Sequence, residues 1–310
     1  MAKKEKESQT LRTTQPFHLM SRGDKMVTIV FGTVITLFSV ACLMPFILVV
    51  IASFTDEATL VREGYRFIPS QWSIEAYKAI FRSDTIPRAY AISIFVTVVG
   101  TVMSLIITAM GAYTLSCTQV KYRNKIAFFF YFTMLFNGGM VPTYILISKY
   151  LNLRDSIWVY IIPALLNPWN MFMLRNFFND IPEALKESAR LEGAHEWLIL
   201  FRIILPLSLP ALATIGLFYA LNYWNAWMEA MLYIDDEKLY TLQYIIMKII
   251  RNINSATQIA GEGAAAGTVV PPSYTIRLAT AIVTIGPIVF LYPFLQKYFV
   301  GGLKVGGVKG

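Results

Sequence analysis

The sequence is short of charge and almost without cysteine and histidine. Charged residues make up 15% of its 310 positions and hydrophobic ones 56%, whereas a soluble domain carries about 25% charged residues. A soluble globular protein is therefore excluded. Only Cys42 and Cys117 are cysteines. Both fall in apolar runs, near opposite membrane faces on the topology below, so neither a disulfide nor a metal-ligand spacing is expected. His18 and His195 are far apart and read as solvated or interfacial side chains. No G-x-x-x-x-G-K-[ST] loop occurs, so the chain does not bind ATP by that route. Paired carboxylates, a nucleophile elbow and a Cys/His cluster are missing as well, and no enzymatic activity is expected of the chain alone.

What is present is a set of apolar runs. A helical span needs about 20 apolar residues. Six runs qualify: Met26–Phe54, Ala89–Ser116, Ile126–Ser148, Ser156–Leu174, Leu207–Met228 and Leu278–Tyr298. They predict an all-α integral membrane protein with six transmembrane helices. The first run is too long for the 7–15 residue apolar core of a signal peptide and reads as a retained span. Residues 1–25 form a polar tail with Lys3, Lys4, Lys6, Arg12, Arg22 and Lys25. If that tail is cytoplasmic, the same side holds Lys121, Arg123, Lys125, Arg175, Lys186, Arg190, Arg202, Lys297, Lys304 and Lys309, and the whole net charge of +8 lies there. This is the positive-inside bias. It places both termini in the cytoplasm and removes the case for nucleic acid. On the other face, SIEAYKAIF reads as a short amphipathic helix, Thr241–Asn252 as another, and Ser255–Pro272 as a flexible loop.

The apolar cores contain no Asp, Glu, Lys, Arg or His, and Lys297 stands at the end of the last run. Self-powered pumps and ion-coupled carriers place ionisable groups at membrane depth, so energy for active transport has to come from a partner. Polar and aromatic residues do interrupt the runs: Asn137 with Gly138-Gly139, then Asn167-Pro168-Trp169-Asn170, then Asn222, Trp224, Asn225 and Trp227. One reading is hydrogen bonding between helices, about 0.6 kcal/mol each. The other is a cavity lining for neutral polyols, with Asn137, Asn170, Asn222, Trp224 and Asn225 as substrate-pathway candidates. Amides hydrogen-bond hydroxyls without charge, and indole faces stack on sugar rings.

Asp180–Pro210, DIPEALKESARLEGAHEWLILFRIILPLSLP, is the charged stretch between the fourth and fifth runs. Asp180 is expected to cap a helix, with Glu183 completing a capping box. Ile181, Leu185, Ser188 and Leu191 mark its apolar side, and Glu183, Lys186, Glu187 and Arg190 the rest. Gly193 interrupts it before a second helix, Glu196–Ile204. An interfacial amphipathic helix and a docking helix for a soluble partner both fit this pattern.

Glu187-Ser188-Ala189, Gly193-Ala194, Phe201, Ile204, Leu205-Pro206 and Pro210 resemble the EAA loop of ABC importer permeases, with Ser188 in place of the central alanine and Glu192 in place of a common aspartate. Pro69–Ser73, Asn137–Thr143 and the tail Gly301–Gly310 are similar to carbohydrate permeases of the maltose-permease small-subunit type. Asn137–Pro142 and Pro272–Arg277 are similar to the branch that imports oligosaccharides and polysaccharide fragments. The resemblance implies a 26–300 permease domain in the bacterial cytoplasmic membrane, with a cytoplasmic coupling loop at 175–206. It implies a heterodimer with a second permease, two ATPase subunits that carry ATP and Mg, and an extracytoplasmic solute-binding protein. Glu187, Ser188, Ala189, Gly193 and Ala194 would dock on the ATPase. Val308, Lys309 and Gly310 in the glycine-rich tail 301–310 would reach the ATPase dimer. A permease for a non-carbohydrate solute, and a membrane scaffold or sensor that docks a protein through this helix, are the alternatives.

Overall fold

The computed structural model describes residues 22–82, 84–249, 251 and 274–285. The tail 1–21, the loop 252–273, most of the last predicted span and Val308, Lys309 and Gly310 lie outside the described residues. The chain divides between Ser73 and Ile74, and each unit is taken by itself.

The first unit is built on α1, Arg22–Ser53. Its 32 residues carry Pro45 inside the helix and reach about 48 Å at 1.5 Å per residue. That exceeds the roughly 30 Å of a bilayer's hydrocarbon core. Its apolar side chains, from Met26 to Val50, are almost all exposed. Beyond it, Asp56 caps the short α2, Glu57–Glu63, by accepting from the Thr59 amide at 3.2 Å. Gly64, at φ 73°, ends α2. The chain then returns to the end of α1: the Ser73 amide donates to the Phe54 carbonyl at 2.7 Å, and Thr55 and Trp72 form a single β-bridge.

The second unit is organised around α4, Thr85–Ser116, which follows the amphipathic α3, Glu75–Arg82. The buried positions of α4 include Ala89, Ser93, Val96, Gly100, Ser104, Thr108 and Ala112. This is a stripe of mostly small residues near four-residue spacing, the pattern that lets helices approach closely in a membrane. Against it pack α11, Leu209–Trp224, and α7, Pro168–Asp180. The approach is tightest at Gly100, where an added Cβ would lie 2.7 Å from Cζ of Tyr223.

The third, fourth and fifth apolar runs are not straight spans. α5, Arg123–Leu135, is followed at Asn137-Gly138-Gly139 by α6, Met140–Ile145, and a π turn to Tyr150, bent by 111°. Two 3-10 turns within Ile157–Ala164 meet α7 at 50°. Leu209, after the Pro206 region, begins α11 at 87° to the preceding helical segment. Among the described residues, two helices are long and apolar enough to cross a membrane singly, and up to five if each bent pair is one span. α12, Met228–Tyr233, a 3-10 turn at Glu237–Leu239, helix α13 at 242–249 and α14, Tyr274–Ile285, complete the described chain. The described residues contain no strand.

A broken helix leaves backbone groups that lipid cannot satisfy, and here tyrosine hydroxyls meet them. The Asn167 amide, at the break before α7, donates to the Tyr219 hydroxyl at 3.0 Å, which also pairs with Thr108 at 2.6 Å. The Tyr223 hydroxyl donates to the Ile161 carbonyl at 3.3 Å and pairs with Ser104 at 2.8 Å. Tyr219 and Tyr223 lie one turn apart on α11, facing Thr108 and Ser104 one turn apart on α4.

Candidate functional site

The stretch after α7 is where charge and exposed apolar surface meet. The capping box expected at Asp180 is not formed. Asp180 is the last residue of α7, and α8, Glu183–Leu191, starts behind Pro182 with no side-chain cap. The reason is local: Pro182 cannot donate an amide, so its fixed φ opens the helix one step later. Glu183 in the first turn and Arg190 in the last both suit the helix dipole. α8 ends in a Schellman turn. Gly193 adopts φ 85°, its amide donates to Arg190 O, and the Ala194 amide donates to Ala189 O, both at 3.0 Å. α9, Glu196–Ile199, follows and runs through a π turn, Leu200–Ile204, into α10, Leu205–Leu207.

The buried side of α8 is the one away from Leu185 and Leu191. Lys186 is 1% exposed and Ala189 8%, while Leu185 is 45% and Leu191 90% exposed. Charge is accommodated inside because it is neutralised there. Glu183 accepts from Lys186 at 3.0 Å and from Arg190 at 3.4 Å. Arg190 reaches across the Gly193 turn to both oxygens of Glu196, at 2.8 and 3.4 Å. The Tyr113 hydroxyl of α4 donates to Glu196 Oε2. The Arg190 hydrogen bond lowers the Glu196 pKa against partial burial. Burial acts to raise Glu183, but Lys186 and Arg190 outweigh it and the net shift is downward. Arg190 is raised, first by its bond to Glu196. Both carboxylates are thus held ionised.

Of the sequence-predicted docking residues, Glu187, Ser188 and Gly193 are exposed, Ala194 is half-buried and Ala189 faces inward. Glu187, Ser188 and Leu191 lie on one side of α8, on the i, i+1, i+4 pattern of a helix face. Beyond the turn, Trp197 and Phe201 are exposed and stack at 6.1 Å. A cavity of about 330 Å³ lies beside the ion pairs, lined by Tyr113, Cys117, Arg190, Glu196, Trp197 and Leu200 among others.

Among the described residues, Asn137 is set apart from the other polar substrate-pathway candidates. Asn137 lines a space of about 380 Å³ with Gly139, Met140, Thr143, Glu229 and Tyr233, and that space touches none of the other four. Asn170 is buried in the first turn of α7. Asn222 is exposed, and Asn225 donates to the Leu221 carbonyl at 2.7 Å and accepts from Gln243 at 3.3 Å. Trp224 is buried edge-on to Tyr90, and its Nε1 has no partner among the described residues.

Sequence reasoning missed Tyr113, Lys186, Arg190 and Glu196 as a connected group. Glu183, Lys186 and Arg190 at i, i+3 and i+7 were visible as one helix side. Tyr113 lies 83 positions from Glu196, and no local signal joins them.

No family model matches the chain. It is 41% identical over 274 residues to the polygalacturonan/rhamnogalacturonan transport system permease protein YtcP of Bacillus subtilis, across 88% of this chain and 95% of that protein. It is 31% identical to the arabinooligosaccharides transport system permease protein AraQ of Halalkalibacterium halodurans, across 86% and 91%. Among solved structures it is similar to a chain of a bacterial ABC transporter involved in the import of the acidic polysaccharide alginate. That likeness has a TM-score of 0.78 at 32% identity and covers 92% of this chain and 100% of that one.

Proposed function

The chain belongs to the permease subunits of ABC sugar transporters, and from that premise we propose that it translocates oligosaccharides or polysaccharide fragments by ATP-driven alternating access. In this reading six spans cross the bacterial cytoplasmic membrane within 26–300, both termini are cytoplasmic, and 301–310 reaches toward the ATPases. A second permease completes the pathway, two ATPase subunits hold ATP and Mg, and an extracytoplasmic binding protein delivers the sugar.

The observation that carries the docking part is the inverted face of α8. Leu191 is 90% exposed beside Glu187 and Ser188, while the lysine on the opposite side is buried. A helix that turns its apolar side away from its own protein core is arranged to meet another protein. Gly193 and Ala194 present the turn next to that face. Asn137, Asn222 and Asn225 are exposed, and their amides, donors and acceptors without charge, suit hydroxyl-rich cargo. Asn170 and Trp224 would join the pathway only when the helices around them part.

The test is reconstitution of the complete complex with its binding protein in liposomes. Uptake is measured for labelled trigalacturonate, arabinotriose and trimannuronate, with ATP inside. ATP-dependent uptake of at least one is expected. Leu191→Glu is expected to strip the ATPases from the purified complex by tenfold or more, since losing a central contact costs about 2 kcal/mol or more. Full ATPase retention by Leu191→Glu would refute the docking face. Failure of all three sugars in an assembled, ATP-hydrolysing complex would refute the cargo class.

A further inference from the structure

We infer that Tyr113, Glu196, Arg190 and Glu183 form a brace that carries movement of the docking helix into α4, with Lys186 holding its inner end. The inference rests on the docking reading above and adds the route by which force leaves the site.

The backbone joins α8 to α9 through the turn at Gly193. That turn is open, because an added Cβ there would meet nothing within 4 Å. A load placed on Leu191 would bend such a joint rather than move the bundle. The charged side chains close it. Arg190 in the last turn of α8 grips Glu196 in the first turn of α9 through two nitrogens, and its third nitrogen holds Glu183 at 3.4 Å. Glu183 in turn takes Lys186 at 3.0 Å. Forked arginine–carboxylate geometry fixes direction as well as distance. The far end of the brace is the Tyr113 hydroxyl, which donates to Glu196. Tyr113 is buried one turn before the end of α4. α4 packs along both α7 and α11, so a displacement at Tyr113 reaches two of the broken spans. The four side chains are thus positioning residues that turn two hinged helices into one rigid lever.

The ordinary alternative is that these ion pairs only help the loop to fold. The two differ in the ratio of sugar moved to ATP hydrolysed, which a mere loss of folded protein does not change. The experiment uses the complete complex in liposomes and the fastest carried of the three sugars above. Tyr113→Phe and Glu196→Gln keep side-chain size and remove one link each. Each is expected to keep a full complement of ATPase and to lower the ratio about fivefold or more. The exchanged pair Arg190→Glu with Glu196→Arg is expected to recover at least half of the ratio lost in Arg190→Glu alone. An unchanged ratio in both single-link variants would overturn the brace. Loss of ATPase from those variants would also overturn it, because the cluster would then belong to the docking surface itself. Retention of ATPase by Leu191→Glu refutes the docking reading and is scored separately.

Discussion

Gly100→Ala would test whether α4 and α11 are locked by contact at a single point. The new methyl carbon would stand 2.7, 2.8 and 2.9 Å from Cζ, Cε2 and Cδ2 of Tyr223. Carbon atoms rest about 3.5–4.0 Å apart, so the ring has to retreat by roughly 0.7 Å or the helices must separate. Retreat stretches the 2.8 Å Ser104–Tyr223 bond to about the limit of a hydrogen bond. Overpacking of this kind costs about 1–3 kcal/mol, and a hydrogen bond between membrane helices about 0.6 kcal/mol. The expected loss is therefore about 1.6–3.6 kcal/mol. The assay is reversible unfolding of the purified protein in mixed micelles, run as a double-mutant cycle with Tyr223→Leu. Removing the ring should leave Gly100→Ala costing less than about 1 kcal/mol, a coupling of 1 kcal/mol or more where independent sites add to within about 0.5. Additive losses, or a Gly100→Ala protein as stable as its parent, would refute the close approach.

Tyr219→Phe should destabilise more than Tyr223→Phe. The first leaves the Asn167 N–H without its acceptor, the second removes one donor from the Ile161 carbonyl, and orphaned N–H groups are the rarer and costlier kind; the same micelle unfolding decides it, and equal losses would count against the assignment of donor and acceptor. Gly193→Ala should cost about 1–2 kcal/mol from the left-handed backbone alone, because the added methyl meets no neighbour, and Gly193→Asn should cost less; a harmless alanine would show that the turn is not held at φ 85°. Acidification should loosen α8 from α9. Glu183 and Glu196 are both lowered from 4.5, so their contribution is complete above that pH and is lost as pH falls through their folded values. A spin-label pair across the Gly193 turn should lengthen below about pH 4.5 and stay constant from there to pH 8, and a distance flat down to pH 3 would rule out the ionised clamp.

Much of the architecture could be read from local chemistry. Asn137-Gly138-Gly139 and Asn167-Pro168 mark the breaks in the third and fourth runs because glycine, asparagine and proline each withdraw support from a helix. Glu75–Arg82 is helical as its periodicity implies, and 242–249 likewise. Gly193 was legible as a turn. The angles at the breaks were not, because they depend on what the next helix packs against. The pattern of α8 left an interfacial helix and a docking helix both open. Periodicity sorts residues by apolarity and does not name what covers the apolar side. Here Glu183 pairs with the buried Lys186 and Arg190 bridges to Glu196 at the rim, and Leu185 and Leu191 face outward. The tyrosine ladder was missed because Ser104, Thr108, Tyr219 and Tyr223 become a pattern only once α4 and α11 are side by side.

The bareness of α1 bears on how much of this protein a cell can keep. Within its own unit, the 32-residue α1 leaves its apolar side chains almost wholly uncovered. In the proposed complex a second permease would cover part of that helix, and a copy made in excess of it would gain no association energy to add to its own stability. Membrane proteases draw on the least protected molecules, so surplus copies would be cleared while assembled ones persist. The steady amount of this chain would then follow the synthesis of its scarcer companion, and no separate control over its own production would be needed to keep the two in step.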